Sequence, residues 1–167
     1  MIPRLSARDS VPASLQGAIA ALGNFDGFHL GHQAVAGEAI AQAKAAGRPA
    51  IIATFDPHPV RFFAPHIPWF RLTTLDQRQR LFAEAGADAM LVFDFDAELA
   101  ATTAEDFVVQ LLAGRLGLSG VVTGEDFTFG KARGGNVALL RELGARHGLA
   151  AATVGPVKDD GGVISSS

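Results

Sequence analysis

Short apolar runs alternate along this chain with longer stretches of mixed polarity. Residues 18–22, 50–55, 89–93, 120–123 and 149–154 are nearly continuous apolar runs, each of a length suited to a buried strand. The stretches between them carry helix signals. Residues 31–46 are rich in Ala with Gln, Glu and Lys, and Gly47 follows as a stop. Thr74 stands where it can cap a helix over 75–85, closed by Gly86. Thr103 can cap a helix to about Leu116, with Asp106 three residues on as its capping-box partner. Asn136 can cap a last helix to about His147.

Continuous apolar strands separated by helices predict a parallel sheet covered on both faces. The expected fold class is therefore α/β: a doubly wound, mostly parallel five-stranded sheet with helices on both faces, in a single domain over 1–167. Ligands of such sheets bind beyond the carboxyl ends of the strands, where the strand order reverses. Three chemically unusual segments, 23–32, 56–59 and 124–135, each follow a predicted strand and are expected on one rim. The proline-rich residues 56–68 read as a long connection.

The first segment reads Gly23-Asn24-Phe25-Asp26-Gly27-Phe28-His29-Leu30-Gly31-His32. Its opening is a turn-forming cluster, and the two histidines fall where strand hands over to helix. A helix N-terminus presents unpaired N–H groups and partial positive charge, which suits phosphate. Residues three apart share a helix face, so His29 and His32 can both meet one ligand. Gly31 lets a large group approach the backbone. A nucleoside triphosphate fits this arrangement. Zinc fits it less well, because structural zinc takes four ligands, often cysteines, and the chain has no Cys.

The second segment is Thr54-Phe55-Asp56-Pro57-His58-Pro59. Its prolines stiffen the backbone that carries Asp56 and His58; an ordinary proline-rich turn is the alternative. Phe62, Phe63, Trp69 and Phe70 follow, either as a small core under the loop or as walls for a flat ring. The third runs from Gly124 through Glu125-Asp126-Phe127-Thr128-Phe129-Gly130-Lys131-Ala132-Arg133 to Gly134-Gly135. Its glycines can turn N–H groups toward an anion, with Lys131 and Arg133 adding positive charge. Phe127 and Phe129 can flank an aromatic ligand. The alternative is a hairpin with buried Phe and solvated basic side chains. The pattern matches neither the dinucleotide fingerprint nor the P-loop. The closing Gly161-Gly162-Val163-Ile164-Ser165-Ser166-Ser167 reads equally as a tail or as a phosphate-binding helix start.

Composition narrows the possibilities. A length of 167 residues with 49% hydrophobic content suits one domain with a real core. The net charge of -3 argues against a general nucleic-acid binder, so any anion site must be local. The absence of Cys removes disulfides and thiol catalysis and fits a reducing compartment. There is no run of 18 apolar residues and no signal-peptide pattern at the start. A cytoplasmic protein, with no membrane or nucleic-acid partner, is the expectation.

Taken together and in this order, these motifs resemble the HxGH nucleotidylyltransferases. They are most similar to the FMN adenylyltransferase module of the bacterial bifunctional riboflavin kinase/FAD synthetases. The resemblance runs from about Leu22 to Ser167 and includes the final Ile164-Ser165-Ser166. It implies a Rossmann-like nucleotidylyltransferase fold and the reaction of ATP with FMN to give FAD and pyrophosphate, with Mg²⁺ arriving on ATP and no protein-only metal site. It implies that His29, His32 and Asn24 act at the α-phosphate, and that Gly23, Asn24, Phe25, His29, His32, Ser165 and Ser166 bind ATP. Asp56, His58, Pro59, Asp126, Phe127 and Phe129 would line the FMN pocket. The family pattern ends Ile-Ser-Ser-Thr-x-x-Arg, whereas this sequence has Ser167 at the Thr position and stops there. The arginine, and the riboflavin kinase domain normally fused C-terminally, are therefore expected outside these residues, and transfer by the chain as it stands is expected to be impaired.

Overall fold

The computed structural model describes residues 2–25, 30–56 and 73–155, together with the backbone of 157–159 and 162–164. The elements, in chain order, are β1 (Arg4–Ser6), β2 (Ile19–Leu22), α1 (Leu30–Ala46), β3 (Ala50–Asp56), α2 (Leu75–Ala85), β4 (Ala89–Asp94), α3 (Ala97–Ala101), α4 (Ala104–Asp106), β5 (Gly120–Gly124), α5 (Val137–Arg146), β6 (Ala150–Val154), β7 (Val157–Asp159) and β8 (Gly162–Ile164). Strands β1–β6 form one sheet of six strands in the order β1-β4-β3-β2-β5-β6, with every pair parallel. β7 and β8 form a separate antiparallel pair.

The predicted parallel sheet is present with one more strand than expected. The five apolar runs became β2 to β6. The sixth, β1, pairs Arg4, Leu5 and Ser6 with Met90, Leu91 and Val92 at the sheet edge. It is three residues long, polar at both ends and not buried, so it carries no strand signal of its own. Tertiary contacts hold it: Arg4 bonds to Gln79 at 3.0 Å and pairs with Asp76, both on α2.

The two sheet faces bury separate cores, as alternation along a strand requires. Ala21, Ile52, Met90 and Val122 pack with Val35, Ala36, Ala39 and Ile40 of α1 and Phe82 of α2. Their neighbours Ala20, Ile51, Leu91 and Val121 pack on the other face with Phe107, Val108 and Leu112, and with Leu140 and Leu143 of α5. The buried stripe of α1 is mostly small, which brings that helix close to the sheet.

Helix ends follow their local chemistry. Thr74 caps α2, its hydroxyl accepting from Gln77 N at 3.1 Å while Gln77 Oε1 accepts from Thr74 N at 2.8 Å. Asn136 caps α5 through Leu139 N at 2.9 Å. Thr103 caps α4 through Asp106 N at 3.1 Å. The expected continuous α-helix to Leu116 is corrected, however. After Asp106 the chain shifts to π-helical bonding over Phe107–Arg115, and Leu116 N donates to Leu111 O at 2.8 Å. The wider register turns Phe107, Val108 and Leu112 into the core.

The strand order defines the site. The chain moves outward from β2 to β3 and β4, then crosses back to β5 on the other side of β2. The reversal falls between β2 and β5, the position at which doubly wound sheets bind ligands. Because all the strands run parallel, the segments after β2, β3 and β5 leave the same rim.

Candidate active site

The rim is built from three strand ends. Gly23 follows β2 and donates to Ala53 O at 3.3 Å. A Cβ at Gly23 would lie 3.0 Å from the Phe25 ring, so the glycine admits that ring beside the backbone. Phe25 is 1% exposed and has φ +52°, a left-handed conformation that a bulky residue adopts at a cost. That conformation folds its ring inward, edge-on to His32 (centroids 5.3 Å apart) and to Phe82 (5.9 Å). The Phe25 side chain is therefore a wedge under the turn, and only its backbone can line a nucleotide site.

His32 stands in the first turn of α1 and is 2% exposed. Asn24, half-buried, lies between the end of β2 and the start of α1. Its side-chain oxygen Oδ1 is shielded from solvent and has no hydrogen-bond partner among the described residues. A buried polar atom without a partner is costly, and a ligand donor or a metal-bound water would satisfy this one.

Asp56 closes β3 and is partly exposed; its Oδ1 lies 3.6 Å from Arg78 Nη2. Arg78, on α2, was not singled out from the sequence. It is 2% exposed and donates to Thr54 Oγ1 at 2.9 Å.

After β5 the chain turns tightly, with Phe127 N donating to Gly124 O at 3.3 Å and Asp126 exposed in the turn. Phe129 and Gly135 then form an antiparallel bridge at 3.1 and 2.8 Å. A Cβ at Gly135 would come within 2.4 Å of the Phe129 ring. The two phenylalanines expected to flank a ligand divide the work. Phe129 is buried against Phe107 (5.4 Å), and half-buried Phe127 stacks on it from outside at 5.8 Å and 22°. Lys131 and Arg133 are exposed, so this loop carries the features of the hairpin alternative as well.

Structure thus brings Gly23, Asn24, Phe25, His32, Asp56, Asp126 and Phe127 to the rim, with Phe129 beneath it. His29, His58, Pro59, Ser165 and Ser166, and the aromatic residues Phe62, Phe63, Trp69 and Phe70, lie outside the described residues. Among the described residues no three His, Asp or Glu side chains cluster as a metal site. None of their helices is long and apolar enough to cross a membrane. A cavity of about 390 Å³ opens elsewhere, between the end of β4, α3 and the π-helical stretch. Phe93, Leu99, Thr102 and Leu111 line it together with Arg8, which lies 3.3 Å from Asp94, but none of the predicted site residues contributes.

A buried histidine at a helix start and an amide oxygen without a described partner thus stand at the reversal point of a doubly wound α/β sheet. The family model described as FAD synthetase matches residues 11–167, and the chain belongs to that family. The bifunctional riboflavin kinase/FMN adenylyltransferase of Escherichia coli K12 is 35% identical over 137 residues, covering 82% of this chain and 44% of that protein. The Pseudomonas fluorescens protein of the same name is 34% identical over 152 residues, covering 91% and 49%. The chain spans about half the length of these curated relatives. Among solved structures, one described as a macrolide-efflux protein from Streptococcus pneumoniae superposes with a TM-score of 0.85 at 26% identity, over 99% of this chain and 63% of that one.

Proposed function

We propose that this domain, over 1–167, transfers the adenylyl group of ATP to FMN. An oxygen of the FMN phosphate attacks the α-phosphorus, the bond from that phosphorus to the bridging oxygen of the β-phosphate breaks, and pyrophosphate leaves as FAD forms. The FMN phosphate is already ionised at neutral pH, so the reaction requires positioning and charge neutralisation more than a strong base. This matches a rim that offers an imidazole, an amide and backbone groups.

The observation that carries the reading is that Asn24 Oδ1, buried without a described partner, and the buried His32 both stand at the switch point, in a chain of the FAD synthetase family. In this reading ATP lies over the start of α1, with Gly23, Asn24, the Phe25 backbone, His29 and His32 around its phosphates, and Ser165 and Ser166 completing the phosphate contacts. FMN lies against Asp56, His58, Pro59, Asp126 and Phe127, with Phe129 supporting Phe127 from below.

Mg²⁺ enters with the triphosphate. Asp56 faces Arg78, and the described residues hold no carboxylate cluster to retain the ion alone. Mg²⁺ binds readily through substrate phosphates and water. The relatives are named as bifunctional with a riboflavin kinase, and this domain is read as the adenylyltransferase part of such a protein, working in the cytoplasm. A non-catalytic flavin- or nucleotide-binding module, or a transferase with another acceptor, are the readings that the family match does not favour.

Incubation of the chain with ATP, FMN and Mg²⁺, followed by chromatographic detection of FAD and pyrophosphate, tests the proposal. FAD in step with pyrophosphate supports it. Tight binding of both substrates without product, also by a chain extended through the family's closing arginine, supports the binding module instead.

A further inference from the structure

Arginine is almost never fully buried unless paired, yet Arg78 is 2% exposed in the first half of α2. Its guanidinium reaches in several directions. Nη1 donates to Thr54 Oγ1 at 2.9 Å and to the Asn24 carbonyl at 3.5 Å. Nη2 donates to the Thr73 carbonyl at 3.3 Å and lies 3.6 Å from Asp56 Oδ1. The Thr54 hydroxyl, itself buried, donates onward to the same Asn24 carbonyl. One side chain from α2 thus joins the turn after β2 to the end of β3.

Stability alone does not account for it. Replacing a buried ion pair with apolar residues of like volume is often neutral or stabilising. Only a guanidinium holds several donors in a rigid planar fork, and here the fork meets acceptors on three separate stretches of chain. The two strand ends that it joins are the ones that the adenylyl-transfer reading assigns to the donor and to the acceptor.

We propose that Arg78 is a positioning residue, which with Thr54 holds the Asn24 turn and the Asp56 carboxylate at one fixed spacing so that the two substrates meet in line. The inference rests on the reading of that rim as an adenylyl-transfer site. A misplacement of about 1 Å costs such a reaction roughly 10²-fold, so the role falls on the chemical step more than on binding.

Three variants test it: Arg78→Met, Arg78→Lys and Thr54→Val. Arg78→Met is expected to lower kcat for FAD formation about 10²-fold, with KM for ATP changed far less. Arg78→Lys keeps a cation opposite Asp56 and one donor toward Thr54, and is expected to recover most of that loss. Thr54→Val removes the hydroxyl relay at nearly constant volume, so it carries the test if Arg78→Met does not fold. Hydrogen exchange on the ligand-free chain supplies a readout independent of activity: the amides of Gly23–Phe25 lose protection in both Arg78→Met and Thr54→Val while those of β4 keep theirs. Wild-type kcat in Arg78→Met or Thr54→Val overturns the proposal, and so does unchanged protection at Gly23–Phe25. The rates are compared on a chain that turns over; if neither this chain nor one extended through the family's closing arginine forms FAD, the reaction reading fails, and exchange alone decides whether Arg78 sets the geometry of the rim.

Discussion

His32 meets the Phe25 ring edge-on, with centroids 5.3 Å apart and planes at 90°. The contact joins the first turn of α1 to the turn that follows β2. Phe25 reaches this position only through its left-handed backbone, and Phe82 of α2 closes the ring in from another side. The imidazole is therefore held by packing before any ligand arrives.

Removing the wedge should be expensive. Phe25→Ala deletes a ring that is 1% exposed and leaves a cavity between α1, α2 and the sheet. Loss of a buried Phe costs about 3–5 kcal/mol. Urea unfolding should show a midpoint lowered accordingly; a loss well under 1 kcal/mol would mean that the neighbouring elements close the gap without the ring.

His32 should matter to the reaction more than to the fold. His32→Gln keeps a polar side chain of similar size but removes the imidazole ring. Removal of one preorganised stabilising group lowers kcat/KM by about 10²–10³-fold. The comparison is made on a chain that turns over, with Tm measured alongside. Unchanged kcat/KM would take His32 out of the site.

Phe127 and Phe129 should separate in experiment as they do in structure. Phe127→Ala removes the outer ring and should weaken FMN binding up to about tenfold, the scale of one aromatic contact, with ATP binding unchanged. Phe129→Ala should instead destabilise the domain, because its ring is packed on Phe107 and bridged through Gly135. Calorimetric titration with each substrate distinguishes the two. Loss of ATP affinity without loss of FMN affinity would exchange the assigned pockets.

Metal dependence should follow the nucleotide. Titration of Mg²⁺ into the ligand-free chain should give no tight binding, since the ion prefers phosphates and water to isolated carboxylates. The same titration with ATP present should show Mg²⁺-dependent nucleotide binding. Tight Mg²⁺ binding without ATP would point to a protein site among residues not assigned to one.

Much of this architecture is legible in the chain because its signals are local. The five apolar runs are short and continuous, so they read as buried parallel strands wherever they fall. Thr74, Gly86 and Asn136 mark helix ends through chemistry confined to one turn. The glycine-, histidine- and proline-bearing segments are conspicuous because they interrupt that regular alternation. Their common rim follows from parallel topology alone.

What tertiary structure decided lies where the deciding partner is distant in sequence. Arg4-Leu5-Ser6 has no strand pattern, and becomes β1 because β4 offers an edge and α2 offers Asp76 and Gln79. Residues 107–115 keep helical periodicity in sequence, but packing selects the π register. Phe127 and Phe129 look alike two residues apart, and only Phe107 and Gly135 determine which ring is buried. Arg78 sits among Gln77, Gln79 and Arg80 and reads as one more solvated position on an amphipathic helix. Its burial depends on Thr54 and the Asn24 carbonyl, brought together by the pairing of β2 with β3. Local propensity and hydrophobic period act within a turn or a strand, so one sequence displays them; a buried guanidinium is defined by acceptors that only the folded sheet places around it.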